Sequence, residues 1–427
     1  MPVKEQRTLR RLVMRDTRKL APFNEEAREL RILNKRLWLY QRDVLAPYSR
    51  EEREIDSVEE VPDDQVETIV YRDNLFFDQA FIDHFLRRAR RLGKACRVAF
   101  SSDDPAIRTH ALPLQSGIRP DKNFTEGQLL VADLWYFPRG RDTKVRPLVV
   151  DTLSQEIGYY NVPKYMAPSQ GDLTYQVPRR AFLSIEHWIH VFLANTTFGV
   201  FAEGARFEKR MERAMPKVKL IWRALVERNN VLSHSQVVKL GKDVRIDASA
   251  VIRGPATIGD NVFIGPGAVI DNSIIGSNVS IGQGCQVMLS VVGDGSFLPF
   301  RASLFMTTLM ENSMVAQNTC LQMCVVGRDS FIGAGSTFTD FSLLPSPIKT
   351  FYQDQLVEIN LPVIGGCVGH NCRLGSGLIV FPARTIESDV ILVGSRAEKV
   401  LTHNVTYAES DHWQLPNGAE LHPPYYH

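Results

Sequence analysis

An aliphatic residue recurs every six positions in the C-terminal half of the chain. The first series comprises Leu240, Ile246, Ile252, Ile258, Ile264 and Ile270, and a small or branched residue lies four places after each member. A period of six fits neither an α-helix, which repeats every 3.6 residues, nor an alternating strand. It predicts a coil in which three short strands make one triangular turn and stack on the strands of the next turn.

Beyond Ile270 the spacing becomes six, six, five, so each turn lies 17 residues after the previous one. The series continues through Ile275, Ile281, Val287, Val292, Leu298, Leu304, Leu309, Val315, Leu321, Val326, Ile332 and Phe338. It stops at Leu343 and resumes at Val363, which predicts an inserted loop over residues 343–362. Long loops in compact folds are often functional. Cys285 and Cys372 fall on the small-residue positions and are predicted to fill the core, not to act as nucleophiles.

Over residues 240–394 this pattern resembles the hexapeptide-repeat family of left-handed parallel β-helix proteins. The family motif is an aliphatic residue, then Gly, Ala, Glu or Asp, two free positions, and Ser, Thr, Ala or Val; Ile258-Gly259 and Ile264-Gly265 begin such motifs. The resemblance implies a left-handed coil, transferase activity and a homotrimer. We therefore expect an all-β parallel β-helix over 234–400, followed by a C-terminal tail over 401–427.

The same 17-residue period predicts which outward side chains stack. Three apolar columns result: Leu289, Met306 and Met323; Phe297, Met314 and Phe331; and Met288 and Phe305. Exposed apolar columns of this size favour association. Contact between subunits, packing against the protein's own N-terminal helices and a groove for a lipid or acyl chain are the open explanations.

His370 is the candidate catalytic residue of the repeat. It lies in VGHNCRLG, at a predicted outward position shortly after the inserted loop. The resemblance implies a histidine general base, in a cleft between subunits, for attack on an acyl thioester. Neutral imidazole suits proton removal near pH 7. Asn371, Arg373 and Tyr352 are the candidate substrate-binding residues beside it, and a structural corner histidine is the alternative. The spacing to His234 and His403 does not suggest a three-histidine zinc site.

The N-terminal half has a different pattern, with a β-α-β segment over residues 68–100. A TIVY strand precedes a helix over QAFIDHFLRRARRL, for which Asp78 is the predicted cap and Gly93 the stop, and CRVAF follows as a strand. The segment resembles part of the sugar nucleotidyltransferases. That resemblance implies that Asp73, with Asn74, contacts a metal or a sugar hydroxyl after the first strand, where open α/β sheets bind ligands. A simple Asx turn is the alternative.

One departure from the nucleotidyltransferases is that residues 1–60 contain no glycine, although that family holds its nucleotide with a Gly-rich loop near the N-terminus. An active and a non-catalytic domain therefore both stay open. The predicted domains are a charged helical arm and linker over 1–64, an α/β domain over 65–204 and a helical connector over 205–233. The arm carries arginines that are either solvated or in contact with an anionic surface or partner: Arg10, Arg11, Arg15 and Arg18.

Composition excludes several classes of protein. The net charge of +2, from 50 Lys and Arg against 48 Asp and Glu, argues against a nucleic-acid coat. The apolar stretch 181–202 contains Glu186 and two histidines, so no membrane span is expected. Six cysteines without a CxxC pair fit a cytoplasmic, reducing setting. We expect a transferase that takes acyl-CoA or a sugar nucleotide as substrate, without a firmly bound cofactor or metal; a non-catalytic sugar-nucleotide sensor or scaffold is the alternative.

Overall fold

The computed structural model divides the chain into two units. The α/β unit comprises Met1–Lys19 and Glu25–His190, and the β-helix unit comprises Leu20–Asn24 and Val191–His427. The structure describes residues 9–49, 51–121, 129–160, 173–211, 237–342, 347–393 and 399–414. The units divide after His190, whereas the sequence predicts the end of the α/β domain at residue 204.

The strands of the N-terminal half are short and irregularly spaced. They are β1 (Arg10–Met14), β2 (Lys19–Leu20), β3 (Glu25–Glu26), β4 (Arg31–Ile32), β5 (Lys35–Arg36), β6 (Glu52–Ile55), β7 (Thr68–Arg72), β8 (Leu75–Phe77), β9 (Cys96–Ser101), β10 (Arg119–Pro120), β11 (Leu129–Phe137), β12 (Arg146–Val149), β13 (Gln155–Tyr160), β14 (Leu173–Val177) and β15 (Phe182–Ser184). The α-helices are α1 (Leu37–Leu45), α2 (Gln79–Leu92), α3 (Trp188–Asn195) and α4 (Ala202–Met211).

The central sheet of the α/β unit has the strand order β12–β9–β11–β7–β1–β6, with β10 paired to β11. Strand β1 is parallel to both β6 and β7, and β11 runs antiparallel between β7 and β9. The chain goes from β1 to β6 on one side and then crosses to β7 on the other side of β1. Loops after β1 and β7 therefore diverge, which makes this point the topological switch where open α/β sheets bind ligands.

The predicted β-α-β segment is present as β7, α2 and β9. Asp78 Oδ1 accepts the Phe81 N–H at 2.8 Å, and Gly93 ends the helix in the left-handed conformation with φ 63°. The amphipathic helix buries Phe81, Ile82, Phe85 and Ala89. Strands β7 and β9 are nevertheless not neighbours, because β11 lies between them. Local periodicity predicted the elements but not their pairing.

The described part of residues 1–64, which comprises 9–49 and 51–64, does not form the predicted helical arm. Strand β1 lies inside the sheet between β6 and β7, with Leu12 and Val13 buried. The surrounding charges form ion pairs, Arg10 with Asp64 and Arg11 with Glu52, both at 2.5 Å. The charged residues around the short apolar strand β1 favour the prediction of a solvated arm. In the structure, the arginines that flank β1 form ion pairs with acidic side chains. Most of the predicted connector lies outside the described residues, and its described part belongs to α4.

The repeat half forms a parallel β-helix. Its strands are β16 (Val238–Leu240), β17 (Arg245–Ile246), β18 (Val251–Arg253), β19 (Ala256–Ile258), β20 (Phe263–Ile264), β21 (Val269–Asp271), β22 (Ile274–Ile275), β23 (Ser280–Gln283), β24 (Gln286–Met288), β25 (Val291–Val292), β26 (Phe297–Phe300), β27 (Ser303–Phe305), β28 (Thr308–Leu309), β29 (Met314–Val315), β30 (Cys320–Gln322), β31 (Val325–Val326), β32 (Phe331–Ile332), β33 (Thr337–Phe338), β34 (Lys349–Tyr352), β35 (Gln355–Glu358), β36 (Cys367–Val368), β37 (Arg373–Leu374), β38 (Ile379–Val380), β39 (Thr385–Ile386), β40 (Ile391–Leu392) and β41 (Val400–Leu401). Within the described residues, 24 of these strands form three eight-stranded parallel sheets.

Strand register confirms the predicted period. Ile264 pairs with Ile281 and Ile281 with Leu298, each 17 residues further on, and all three side chains are fully buried. Cys285 and Cys372 are also fully buried, as predicted, and burial raises the pKa of the Cys372 thiol to about 12. A protonated buried thiol is a poor nucleophile. The described part of the inserted loop contains an antiparallel hairpin formed by β34 and β35.

The predicted outward columns stack, but one of them is largely covered. Met306 and Met323 are fully buried, and their backbone is left-handed, with φ 46° and 55°. Neither side chain belongs to the hydrophobic cluster inside the coils, and Leu289, with φ 51°, is half-buried. The column of Leu289, Met306 and Met323 is therefore not the exposed stripe that the period predicted. In the second column, Phe297 pairs with Met314 and is 42% exposed. Among the described residues, no helix has the length and apolar character required to span a membrane.

Candidate functional site

Asp73 lies at the switch point, directly after β7. Its Oδ1 accepts the Asp16 N–H from the loop after β1 at 2.8 Å. Its Oδ2 is 3.1 Å from Arg15 Nε and 3.3 Å from Arg28 Nη1. We call Arg15, Asp16, Arg28, Glu54 and Asp73 the switch-point cluster. The crossover of the chain brings these residues together at the carboxyl ends of β1 and β7.

Opposing effects act on the Asp73 carboxyl, which is 1% exposed. Burial raises its pKa to about 6, while the Asp16 N–H and the Arg28 and Arg15 guanidiniums oppose that rise. Glu54 is 3.1 Å from Arg28 and 3.4 Å from Arg15, and the Arg28 hydrogen bond lowers the pKa of Glu54. With a side chain 51% exposed, Glu54 is a weak and replaceable partner of both arginines.

Asp16 links the cluster to a second carboxylate, Glu186. Asp16 Oδ1 accepts the Arg18 Nε–H at 2.9 Å, and Arg18 Nη1 is 2.8 Å from Glu186 Oε2. Glu186 also accepts the Gly117 N–H and the Ser184 hydroxyl, both at 2.7 Å. Burial works to raise the pKa of Glu186, but hydrogen bonds from Ser116 and Ser184 and the Arg18 charge lower it overall. Arg18 is thereby held between the carboxylates of Asp16 and Glu186.

Asn74 follows Asp73 in the turn between β7 and β8 and is also buried. Its Nδ2 donates to Ser184 Oγ at 3.3 Å. Gln41 Nε2 from α1 donates to the Asp73 carbonyl at 3.1 Å and to the Leu75 carbonyl at 2.6 Å. The turn is thus fixed from both sides, and the two predicted residues Asp73 and Asn74 face different partners.

The switch-point cluster does not fit a divalent cation as the structure stands. The Asp73 carboxylate already accepts a backbone N–H and lies within 3.3 Å of two guanidiniums, whose charge opposes that of a metal ion. Among the described residues, no group of three or more His, Cys, Asp or Glu side chains is placed to hold a metal. Guanidiniums arranged in this way suit the oxygens of phosphate.

His370, which the sequence predicts to point outward, is 1% exposed in the β-helix unit. Its Nδ1 accepts the Arg328 N–H at 3.0 Å, and its own backbone N–H donates to Ser388 Oγ at 2.9 Å. The Phe23 ring lies over the imidazole, with 5.1 Å between centroids and 32° between planes. The Nδ1 bond places the proton on Nε2 of the neutral ring. The imidazole is therefore covered by the Phe23 ring, and the outward direction and the catalytic role of His370 both stay predictions.

Residues Leu20–Asn24, which we call the clasp, cover this part of the β-helix unit. The Ser388 N–H and hydroxyl both donate to the Pro22 carbonyl at 3.0 Å. Asn24 Nδ2 donates to Glu387 at 2.9 Å. A Cβ on Gly369 would approach the Pro22 carbonyl oxygen to 2.7 Å, so only glycine fits there. The clasp is therefore packed and hydrogen-bonded as an integral part of the β-helix unit.

The three other predicted site residues lie near His370 in sequence but have separate partners. Asn371 has φ 55° at a corner and donates to Asp389 at 3.3 Å. Arg373 Nη1 donates to the Asp329 carbonyl at 2.5 Å and to the Cys372 carbonyl at 3.0 Å. Tyr352 lies in β34 of the hairpin, where its hydroxyl accepts from Gln353 at 3.3 Å. His370 and Asn371 are thus adjacent in one coil, whereas Tyr352 belongs to a separate element.

Sequence reasoning missed the roles of Arg28, Glu54, Phe23 and Ser388. Each has a partner at least 26 residues away, a separation that periodicity does not carry: Arg28 with Glu54 and Asp73, and Ser388 with Pro22. Arg15 did carry a signal, because it directly follows the apolar LVM run of β1. Recognising that run as a strand would have placed Arg15 and Asp16 at a strand end.

Comparison with known proteins supports the repeat. Residues 238–272 match the family model described as bacterial transferase hexapeptide, six repeats. The match confirms the predicted hexapeptide-repeat resemblance in the first coils of the β-helix. No match is found among the curated proteins.

Several solved structures are similar over part of the chain. A putative acetyltransferase from Bacillus cereus is 18% identical over 40% of this chain and 86% of its own, with a TM-score of 0.19. A variant of the N-acyltransferase AntD from Bacillus cereus, solved with dTDP and coenzyme A, is 15% identical over 39% and 83%, with a TM-score of 0.20. The UDP-N-acetylglucosamine acyltransferase from Campylobacter jejuni is 17% identical over 38% and 69%, with a TM-score of 0.22. Each of the three covers less than half of this chain.

Proposed function

We propose that this chain is a hexapeptide-repeat transferase that binds a sugar nucleotide at the switch-point cluster. The observation that carries the proposal is the convergence of Arg15 and Arg28 on buried Asp73 at the carboxyl ends of β1 and β7. A switch point is where this sheet topology binds ligands, and arginine is the residue best suited to bidentate contacts with phosphate.

The phosphates would bind by replacing the carboxylates that now pair with Arg15 and Arg28. Glu26 and Glu54, with side chains 27% and 51% exposed, hold the outer N–H groups of Arg15 and Arg28. A diphosphate that replaced these carboxylates would gain charge-assisted hydrogen bonds from both arginines. Asp73 would continue to orient the two guanidiniums. In this proposal Asp73 and Asn74 hold the turn next to the sugar, and Asp73 also accepts a hydroxyl hydrogen bond.

The match to a transferase hexapeptide model supports a second candidate, acyl transfer from an acyl thioester such as acyl-CoA, with His370 as general base. Asn371, Arg373 and Tyr352 would contact the substrate, in a homotrimer of the kind that the resemblance implies. A base at Nδ1 requires release of the Arg328 N–H bond and withdrawal of the clasp from the imidazole. The half-exposed Phe297 is the column residue best placed for subunit contact.

A thermal-shift and calorimetric screen tests the proposal, because a ligand that binds only the folded state raises the unfolding temperature. We expect UDP- or dTDP-sugars to bind and Arg15→Gln to weaken that binding about tenfold, the loss of one charge-assisted contact. Arg87→Gln, which replaces an exposed arginine on α2, serves as the charge-matched control. Binding that is indifferent to Arg15→Gln would remove the switch-point cluster from the proposal.

His370→Asn tests the second candidate. Asn places an oxygen close to the position of Nδ1, so the Arg328 N–H keeps its acceptor while the imidazole is removed. If His370 is the base, transfer of an acyl group from acyl-CoA by the folded variant falls by at least about 100-fold, the usual scale for a general base. Full transfer in the Asn variant would show that His370 is structural.

A further inference from the structure

A second group of arginines lies beside the switch-point cluster and surrounds one buried carboxylate. Asp133 of β11 is 2% exposed. Its Oδ2 accepts the Arg72 Nε–H at 2.9 Å, and its Oδ1 accepts N–H groups from Arg119, at 3.1 Å, and Arg97. We call Arg72, Arg97, Arg119 and Asp133 the Asp133 cluster. None of these four residues has a part in the proposed function.

Three different strands supply the guanidiniums, so the sheet itself fixes their spacing. Arg72 ends β7, Arg97 lies in β9 and Arg119 begins β10. A register shift in β11 between Val131 and Trp135 interrupts its pairing with β9 where Asp133 lies. Such irregularities re-aim side chains in a sheet.

Arg97 is held in a defined plane. Its Nε donates to the Ala132 carbonyl at 2.8 Å, and its guanidinium carbon lies 4.8 Å from the centroid of the Trp135 ring. Buried Asp133 also fixes the guanidiniums of Arg72 and Arg119. Little side-chain freedom therefore remains to be lost when an anion binds. An arginine oriented in advance in this way binds an anion with less ordering cost.

Charge in the cluster is not balanced. Three guanidiniums face Asp133, and Asp121 is a further carboxylate that acts on Arg97. Burial lowers the pKa of Arg97, and repulsion from Arg119 adds to that effect while Asp133 and Asp121 oppose it. The side chains of Arg72 and Arg119 are 33% and 48% exposed, so the surplus positive charge faces solvent.

We propose that the Asp133 cluster is a phosphate-binding site that takes inorganic phosphate or the phosphomonoester of a small molecule. Arg72, Arg97 and Arg119 bind the phosphate oxygens through N–H groups that Asp133 does not use, and Asp133 is a positioning residue. The site goes beyond the proposed function and does not depend on it. Arg72 also donates from Nη1 to the Arg15 carbonyl at 3.5 Å, which sets this site next to the switch-point cluster.

Titration of the full chain with inorganic phosphate and, separately, with glucose 6-phosphate tests the site by calorimetry and by phosphorus NMR. We expect both to bind, and Arg119→Gln to weaken binding about tenfold through the loss of a charge-assisted contact. Arg119→Lys is expected to recover only part of the affinity, because an ammonium lacks the planar fork of arginine. Tighter binding of glucose 6-phosphate identifies a phosphomonoester as the ligand class; equal binding identifies phosphate itself.

Two control variants separate this site from other basic surfaces. Arg87→Gln removes an exposed charge from α2 and should leave phosphate binding unchanged. Arg15→Gln should reduce sugar-nucleotide binding but not phosphate binding. Absence of phosphate binding, or equal weakening by Arg119→Gln and Arg87→Gln, would overturn the inference. Loss of phosphate binding in Arg15→Gln but not in Arg119→Gln would place the anion in the switch-point cluster, which overturns this site and leaves the proposed function standing.

Discussion

Asp73 in the α/β unit and His370 in the β-helix unit are both 1% exposed, but their partners differ in kind. Asp73 faces two arginine side chains besides a backbone N–H, and those arginines have other, exposed carboxylate partners. His370 is held by the Arg328 N–H, the Ser388 hydroxyl and the Phe23 ring. A ligand can replace one partner of a side-chain ion pair without unfolding the protein. The backbone hydrogen bonds between coils cannot be replaced unless the coils separate.

The largest expected effect comes from Gly282→Ala, which tests how closed the backbone ladder of the β-helix unit is. A Cβ on Gly282 would overlap the carbonyl oxygen of Pro299 in the next coil. We expect a loss of about 3 kcal/mol in the unfolding free energy, the upper range for overpacking. Denaturant unfolding followed by circular dichroism measures it.

Gly267→Ala is the matched control in the same unit. Gly267 has φ 63°, but no atom lies within 4 Å of the position that a Cβ would take there. Only the left-handed backbone opposes alanine at this residue, at a cost of about 1 kcal/mol. Equal losses for the two variants would show that the coils move apart readily, and the contrast with the α/β unit would fail.

A pH titration sharpens the comparison, because each unit contains a carboxyl whose pKa is raised to about 6, mainly by burial: Asp73 and Asp389. The folded state holds each proton more tightly than the unfolded chain, where the pKa is 3.8. Each group therefore contributes stability that is fully present below pH 3.8 and is lost as the pH rises through 6. The slope between these values reaches about 1.4 kcal/mol per pH unit for one proton.

Asp73→Asn and Asp389→Asn should each remove one such contribution, so that the unfolding free energy falls less steeply between about pH 4 and 6. Chemical denaturation at intervals across this range measures the slope. An unchanged slope in Asp73→Asn would mean that Arg15 and Arg28 outweigh burial and keep the carboxyl ionised. In that case the switch-point cluster is a fixed ion-pair network.

Ser388→Ala is expected to cost about 1 kcal/mol, since the Pro22 carbonyl loses one donor and the His370 N–H loses its acceptor. Hydrogen exchange at the Ser388 amide, which donates to Pro22, should become faster as the clasp loosens. Ser330→Ala removes a hydroxyl that bonds within the coils, to the Gly369 carbonyl at 3.0 Å, and should leave exchange at Ser388 unchanged. Equal acceleration in both variants would mean that the clasp has no separate stability.

The β-helix could be predicted from sequence because each coil contacts only its neighbours, so one period encodes both spacing and register. The burial of Met306 and Met323 could not, since neither belongs to the cluster inside the coils and hydrophobic periodicity does not report what covers an outward column. In the α/β unit, Asp73 could be placed at a strand end, but its partners Arg15 and Arg28 come from much earlier in the chain. Tertiary contacts across such separations leave no periodic trace in one sequence.

The smallest expected effect is that of Cys320→Ser, and it provides a reporter for both units. Of the six free cysteines, Cys320 is half-buried and the other five are buried. A surface substitution of this kind usually changes stability by less than about 0.5 kcal/mol.

Reaction with a thiol reagent should modify Cys320 in the folded protein and spare the rest. In Cys320→Ser, the remaining thiols then react only on opening, Cys96 reporting the α/β unit and Cys285 the β-helix unit. If Cys96 and Cys285 react at one common rate at every denaturant concentration, the two units open together and the comparison of separate stabilities fails; a faster Cys96 would locate the weaker packing in the α/β unit.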